Sequence, residues 1–358
     1  MSVANFFKVY ILPGITFQSI VISGGYCTGQ EIVQYFLSLG PTNGFYGLLI
    51  TTAFWSVICA LCFVLAKIYH AYDYKTFFKL LLGRGWILFE ACYLYLVIIA
   101  LSVIAASVGS MLQDLLGLPY MIGLLLPFFY IFIMIRRGSR SIEKMFSLWS
   151  ILLYLVFFAF LISCYKNSNT NLFGVFAFAP TGANWLKNGI KYASYNLGCI
   201  PAILFTLRYF KTTKQAIISG LLAGPLASIP GILLFMALLT EYPTILHTIV
   251  PSTFMLEKLA IPLLTISFST ILIGTLVETG VGLVHAFNER MAPVKNKNRW
   301  IIALLVIVFG LSQFGLVKLI MQGYGLLTWF MISVFIFPLL TIGLLKIRSA
   351  VPNNPLTV

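Results

Sequence analysis

Ten apolar stretches, most of about twenty residues or more, recur along the 358-residue chain, with short polar segments between them. A helix needs roughly 20 apolar residues to cross a bilayer core of about 30 Å, so this pattern predicts an all-α polytopic membrane protein. The composition agrees, with 60% hydrophobic and 9% charged residues. The ten predicted spans are 9–39, 45–66, 86–112, 118–135, 145–164, 186–210, 215–240, 260–287, 300–320 and 325–346.

The formal net charge of +14 is distributed unevenly among the loops. An even number of spans puts both termini on one side of the membrane, and 18 of the 23 Lys and Arg residues fall on that side. The positive-inside rule then predicts cytoplasmic termini, and we expect a bacterial inner (plasma) membrane. The basic excess is explained by topology and by contact with anionic lipid, so it does not indicate nucleic-acid binding.

Two of the predicted spans contain residues that interrupt a helix. Residues 9–39 would extend about 46 Å as one straight helix, and the adjacent Gly24 and Gly25 lie near the middle. The sixth span contains Pro201, which removes a backbone donor and clashes with the preceding turn. Irregular backbone at membrane depth is tolerated where it is buried in protein or lines a cavity. We therefore predict that helices 1 and 6 are both broken.

The two breaks lie five spans apart, which predicts two five-helix units. The first covers 9–164 and the second 186–347. Because each has an odd number of spans, the second enters the membrane the opposite way round, giving a 5+5 inverted repeat. Broken helices in corresponding positions of two halves indicate the binding site of a secondary transporter.

Three segments resemble the YkvI-type membrane proteins, which are placed among putative amino acid permeases of the amino acid–polyamine–cation superfamily. They are "GGYCTGQEIVQYF" in the first span, "YASYNLGCIPAIL" in the sixth and "TLVETGVGLVHAFNER" in the eighth. The similarity runs from about residue 10 to 345. It implies a LeuT-type fold in which spans 1, 2, 6 and 7 move against a scaffold of spans 3, 4, 8 and 9. It also implies a small organic substrate driven by an ion gradient.

The breaks offer backbone groups for binding a small zwitterion. The half-helix that begins near Cys27 would present its N-terminal amides to a carboxylate, and the carbonyls of Ser23 to Tyr26 suit an ammonium group or Na+. The alternative is that the glycines only allow close helix packing. The candidate substrate-binding residues are Ser23, Gly24, Gly25, Tyr26, Cys27, Ser102, Tyr195, Asn196, Leu197 and Gly198.

A carboxylate inside the membrane indicates function by default, because its burial is costly. Glu278 lies within the eighth span, and in the fold that the resemblance implies, the first and eighth helices form a coupling-sodium site. Gly24, Thr275, Glu278 and Thr279 are the candidate ion-coupling residues. Glu278 could instead carry a coupling proton or form a structural ion pair.

Glu31 follows the first break and has several interpretations. It could line an outer vestibule, pair with Lys191 as a gate, favour cationic substrates, or form a structural ion pair. Tyr93 and Tyr192 are aromatic candidates for closing on a substrate, and Glu90 is expected to pair with an inner basic residue. The candidate gating residues are Glu31, Tyr93, Lys191 and Tyr192.

We predict a secondary-active transporter of amino acids or related small amines, with Na+ or H+ as coupling ion and no other cofactor or metal. The chain contains no H-E-x-x-H motif or paired metal-ligand set of an intramembrane enzyme. The Cys59–Cys62 pair is interpreted as packing. The sequence shows no repeated filter sequence and no acidic ring, but an ion channel stays an alternative. A receptor that binds a small molecule without moving it remains an alternative.

Overall fold

The computed structural model describes residues 2–22, 26, 28–168, 172–176, 184–248, 250–291, 297–312 and 326–350, and these residues form helices and turns without a strand. The helices up to residue 176 are α1 (Val3–Phe6), α2 (Leu12–Val21), α3 (Gln30–Tyr35), α4 (Pro41–Ile68), α5 (Tyr74–Leu82), α6 (Trp86–Leu116), α7 (Tyr120–Arg137), α8 (Ser139–Lys166) and α9 (Leu172–Phe176). The later helices are α10 (Trp185–Asn196), α11 (Thr213–Leu238), α12 (Pro251–Leu259), α13 (Pro262–Met291), α14 (Lys297–Ser312) and α15 (Leu326–Ala350).

Seven helical segments in the described part of the chain are long and apolar enough to cross a membrane. They are Pro41–Ile68, Tyr74–Gln113, Tyr120–Arg137, Ser139–Lys166, Thr213–Glu241, Pro262–Met291 and Leu326–Ala350. Each overlaps one of the predicted spans, so the prediction of a helical membrane protein is confirmed.

The other three predicted spans contain no single helix of that length among the described residues. The first is divided into α2 and α3, and the sixth consists of α10 followed by two 3₁₀ segments, Leu197–Ala202 and Leu204–Tyr209. The ninth is represented by α14, beyond which residues 313–325 lie outside the described residues. The count of ten spans and the 5+5 repeat therefore stay predictions.

Two ion pairs join loops and helix ends at the end of the molecule that carries most of the basic residues. Arg208 Nη2 lies 2.6 Å from Glu143 Oε1, and Arg290 Nε lies 3.0 Å from Glu90 Oε1. The Tyr74 hydroxyl also donates to Glu90 at 3.2 Å. The predicted pairing of Glu90 with a basic residue is confirmed.

The opposite end is held by contacts of α12. The backbone N–H of Ser252 donates to the carbonyl of Thr28, at 3.0 Å, which ties α12 to the chain between α2 and α3. Lys258 forms an ion pair of 2.6 Å with Glu241. Helix α12 thus lies directly against the interruption of the first predicted span.

The core beside the two interrupted segments is aromatic. The Phe17 and Trp55 rings meet edge to face with centroids 5.5 Å apart, and Trp55 Nε1 donates to the carbonyl of Ala193 at 3.1 Å. Both aromatic side chains are buried, and an indole that is buried needs such an acceptor. These contacts fix α2, α4 and α10 relative to one another.

Candidate substrate and ion site

The first interruption runs from the end of α2 to the start of α3. At Ile22 the backbone leaves helical geometry, with ψ of 82°, and Gly29 adopts φ of +79° immediately before α3. A left-handed φ of this kind favours glycine. Of the residues predicted to bind substrate here, Ser23, Gly24, Gly25 and Cys27 lie outside the described residues, so those predictions stay untested.

Four backbone carbonyl oxygens converge on the hydroxyl of Thr279. Thr279 Oγ1 lies 3.2 Å from the carbonyl oxygens of Ser19, Ile20 and Thr275, and 3.4 Å from that of Ile22. A threonine hydroxyl has one hydrogen to donate, so it serves one of these acceptors at a time. Carbonyl oxygens at the end of an interrupted helix are the groups that coordinate alkali cations in transporters.

Tyr26 fills a space that Gly231 of α11 leaves open. A Cβ atom at Gly231 would lie 2.1 Å from the Tyr26 hydroxyl oxygen and 2.8 Å from Cζ. The Tyr26 hydroxyl donates to the carbonyl of Ala227, one turn earlier on α11, at 3.4 Å. The interruption is therefore anchored to α11 by a tyrosine that requires glycine opposite it.

The second interruption begins where α10 ends, at Asn196. The 3₁₀ segment Leu197–Ala202 contains Pro201 and is buried throughout. Asn196 Nδ2 donates to the carbonyl of Tyr192 at 3.0 Å. A Cβ at Gly198 would lie 3.0 Å from Leu96 Cδ2, so this glycine faces α6 closely.

A small cavity joins the two interruptions. It measures about 20 Å³, which is room for about one water molecule. Its lining brings together three of the predicted site residues, the adjacent Tyr195 and Asn196 and the distant Thr279. An amino acid is larger than this cavity. The remaining lining residues are Ile20, Leu96, Ala100, Cys199 and Leu283.

Glu278 and Thr275 lie beside Thr279 on α13 without facing the same carbonyls. The Thr275 hydroxyl donates to the carbonyl of Ile271 on its own helix at 2.6 Å. The Glu278 side chain is 2% exposed, has the Ser19 side chain beside it, and reaches an apolar groove between α6, α7, α8 and α13. Its Oε1 atom has no hydrogen-bond partner in the described part of the chain.

Two predicted residues serve helix packing in the structure and do not line the cavity. The Ser102 hydroxyl lies 2.8 Å from the carbonyl of Ile98 and 3.3 Å from that of Val308, between α6 and α14. The Tyr93 hydroxyl donates to the carbonyl of Leu283 at 3.1 Å. The sequence did not separate these roles because a polar side chain in a membrane helix satisfies either one.

Glu31 is buried and faces aromatic residues. It lies on the first turn of α3, and the hydroxyls of Tyr192 and Tyr195 are the polar groups beside its carboxylate. The alternative in which Glu31 pairs with Lys191 is not seen among the ion pairs of the described residues. Instead, the Lys191 ammonium lies 5.9 Å from the ring centre of Trp329.

Tyr35 was not singled out from the sequence, although the structure gives it a central position. Its ring centroid lies 5.2 Å from that of Tyr192 and 6.1 Å from that of Tyr195. A signal was present, because Tyr35 follows Glu31 by four residues and such residues share one helix face. What the spacing did not reveal is that α10 packs against that face.

No protein-family model matches the chain. It is 24% identical over 315 residues to the uncharacterized membrane protein YkvI of Bacillus subtilis. The aligned region covers 86% of this chain and 88% of that protein. Its fold is similar to that of a manganese transporter from Eremococcus coleocola, with a TM-score of 0.55 and 15% identity over 97% of this chain and 80% of the transporter. It is also similar to a Na+-coupled sialic acid symporter, with a TM-score of 0.53 and 12% identity over 95% and 87% of the two chains.

The chain is an integral membrane protein with the fold of these transporters. The seven apolar segments and the similarity to a membrane protein over most of both chains agree on its place in the bilayer. The two solved structures described above are transporters and not enzymes. At these low identities, the similarity extends to the fold alone.

Proposed function

We propose that this protein is a secondary-active transporter of amino acids or related small amines, which works by alternating access and is coupled to Na+ or H+. The observation that carries the proposal is the meeting of α2 and α13, where carbonyls of Ser19, Ile20 and Ile22 surround Thr279. This oxygen cluster adjoins a cavity lined by Tyr195 and Asn196 from the second interruption. An ion site and a substrate site that share a wall give a physical basis for coupling.

The proposal includes a LeuT-type architecture of ten helices, with repeats at 9–164 and 186–347. It also includes membership of the YkvI-type family within the amino acid–polyamine–cation superfamily. Ser23, Gly24, Gly25, Tyr26, Cys27, Leu197 and Gly198 would complete the substrate site around Tyr195 and Asn196. We place the protein in a bacterial inner membrane with both termini in the cytoplasm.

Proteoliposome uptake of radiolabelled amino acids and small amines tests this function. The purified protein is reconstituted, and an inward Na+ gradient and an inward proton gradient are imposed separately. Accumulation above the equilibrium level under one gradient supports the transporter and identifies the coupling ion. Binding of a compound without accumulation under either gradient would establish the receptor alternative, and neither binding nor accumulation by folded protein would reject this substrate class.

Thr279 provides the matched variants for the ion site. Thr279→Ala removes the hydroxyl from the carbonyl cluster, whereas Thr279→Ser retains it. Because the hydroxyl is one of few side-chain oxygens there, we expect the alanine variant to need at least tenfold more Na+ for half-maximal uptake and the serine variant less than threefold more. An unchanged Na+ dependence in Thr279→Ala would exclude this cluster as the coupling site.

A further inference from the structure

Glu31 carries a buried acidic group that forms no ion pair within the described residues. Its side chain is 2% exposed, and neither carboxylate oxygen makes a hydrogen bond of regular geometry within the described residues. The four ion pairs formed by those residues use other acidic groups. A carboxylate placed inside a membrane protein is costly and normally faces a partner or a cavity, and the polar groups beside Glu31, the Tyr192 and Tyr195 hydroxyls, carry no positive charge to balance it.

Three tyrosines lie around the Glu31 carboxylate. Tyr35 lies on the same helix, and Tyr192 and Tyr195 come from α10. The centroids of Tyr192 and Tyr195 are 5.5 Å apart with the rings nearly perpendicular, at 87°, and Tyr35 lies 5.2 Å and 6.1 Å from them. Such a group of rings presents negative faces and phenol oxygens around one carboxylate.

Behind this group, Tyr192 is held by two further aromatic rings. The Phe36 ring meets it nearly perpendicularly with centroids 5.0 Å apart, and the Trp55 ring lies 5.9 Å away. Both Phe36 and Trp55 are buried. Tyr192 is therefore part of a packed aromatic framework, which fixes its position beside Glu31.

The tyrosine group lies between two cavities. On one side, Tyr35 forms part of the wall of a polar vestibule of about 350 Å³ that also contains Lys191 and Asn188. Asn188 Nδ2 lies 3.5 Å from the Tyr35 carbonyl. On the other side, Tyr195 lines the small cavity that contains Thr279. The Glu31 carboxylate lies beside both Tyr35 and Tyr195, so it is next to a wall residue of each cavity.

We propose that Glu31, Tyr35, Tyr192 and Tyr195 bind the ammonium group of the transported substrate, which is accordingly an organic amine with a net positive charge. This inference rests on the proposed function and narrows its substrate class. The carboxylate neutralises the ammonium charge, and the aromatic faces attract the same cation. These four residues include an acidic group and no basic group that would pair with an α-carboxylate. Diamines, guanidino amines and cationic amino acids should therefore bind better than neutral zwitterions.

An inorganic cation fits these groups less well. Hard metal ions such as Mg²⁺ and Ca²⁺ take six or more oxygen ligands in close geometry, whereas aromatic faces favour weakly hydrated organic cations. The described residues contain no group of three or more His, Cys, Asp and Glu side chains that could hold a metal ion. The carbonyl cluster at Thr279 differs from this site because it consists of oxygen atoms, which suit an inorganic cation.

Ligand-induced thermal stabilisation of the full-length purified protein tests the proposal. The probes are putrescine, agmatine and lysine as net-positive amines, alanine and leucine as neutral zwitterions, and MnCl₂ and NaCl as inorganic cations. We expect wild type to be stabilised by at least one net-positive amine at tenfold or more lower concentration than by either zwitterion. Glu31→Gln should weaken that amine at least tenfold, and Tyr195→Leu should weaken it more than Tyr195→Phe.

Two controls keep the result interpretable. Glu257→Gln removes an exposed charge from α12 at the same end of the molecule, and it should change amine binding less than threefold. Without ligand, Glu31→Gln should melt at or above the wild-type temperature, because it removes a buried carboxylate that lacks a basic partner. A folded Glu31→Gln variant that binds the amine as tightly as wild type would overturn the proposal.

The remaining outcomes separate this inference from the function on which it rests. Zwitterion uptake that is equal in wild type and Glu31→Gln, without binding of net-positive amines, would reject the ammonium site and leave the transporter standing. Stabilisation by MnCl₂ or NaCl that Glu31→Gln removes would replace the ammonium with an inorganic cation. If no probe binds to folded protein and nothing accumulates in proteoliposomes, both proposals fail.

Discussion

Single glycines decide how closely the interrupted segments pack, and Gly231 is the sharpest example. The ring of Tyr26 occupies the place of its missing side chain, with 2.1 Å between the hydroxyl oxygen and a Cβ built at Gly231. Gly231→Ala should displace Tyr26, break its contact with Ala227, and lower the free energy of unfolding by about 1–3 kcal/mol, the usual cost of overpacking. Thermal melting in a fixed detergent measures the effect.

Gly310 on α14 is the matched control for this substitution. A Cβ built at Gly310 has no other atom within 4 Å among the described residues. Gly310→Ala should therefore leave the melting temperature unchanged or raise it, since alanine favours a helix over glycine by up to about 1 kcal/mol. Equal losses of melting temperature in Gly231→Ala and Gly310→Ala would show that the packing of Tyr26 does not require a glycine opposite it.

At the scale of elements, α4 and α11 pack so closely that they should move as one unit. A Cβ at Gly224 would lie 2.4 Å from the carbonyl oxygen of Thr52 and 2.8 Å from the backbone nitrogen of Ser56, and a Cβ at Gly220 would lie 2.3 Å from Cα of Ala60. Small residues allow this approach of two backbones in a membrane. Backbone atoms cannot rotate away as a side chain can.

Gly224→Ala should force α4 and α11 apart and lower the free energy of unfolding by about 1–3 kcal/mol. Ser56→Ala, which removes only the 2.9 Å hydrogen bond from Ser56 Oγ to the carbonyl of Leu221, should cost about 0.5–1.5 kcal/mol. A Cβ at Gly224 would clash with Ser56 Oγ and also with backbone atoms of Thr52 and Ser56. Because the backbone clashes remain when the hydroxyl is removed, the double variant should melt no higher than Gly224→Ala alone. Rescue by Ser56→Ala would mean that the serine side chain, and not the backbone, sets the distance.

At the scale of the whole molecule, Glu143 joins the start of α8 to the end of the interrupted sixth segment. Its carboxylate accepts from Arg208 at 2.6 Å and from the Tyr209 hydroxyl at 3.0 Å. Glu143→Gln replaces charge-assisted hydrogen bonds with weaker neutral ones. The contact between the start of α8 and the end of the sixth segment should then open more often. Cys199, which lines the small cavity and is 6% exposed, should then react several-fold faster with N-ethylmaleimide, as located by mass spectrometry.

Glu257→Gln, at the opposite end, should leave the labelling rate of Cys199 as in wild type. Cys59 serves as an internal reference, because it is fully buried within α4 and should stay unlabelled in every variant that remains folded. A Cys199 rate that Glu143→Gln does not change would show that this ion pair does not restrain the opening of the molecule.

The membrane location of the chain and the positions of seven spanning helices could be predicted from the order of the residues. Both properties are local, because a span follows from the length of an apolar stretch and an interruption from glycine or proline within it. The interruption before Gln30 and the change to 3₁₀ geometry at Leu197 lie where the residue types placed them.

The contacts between side chains that are distant in the sequence became known from the tertiary structure alone. Tyr192 reaches Glu31 across 161 positions of sequence, and Thr279 reaches the carbonyl of Ser19 across 260. It also placed Lys191 over Trp329 instead of beside Glu31. Helix periodicity specifies the face on which a residue lies but not the neighbour packed against that face, which depends on the fit of distant surfaces. For that reason the interrupted segments could be predicted from the sequence, whereas the tyrosine group around Glu31 could not.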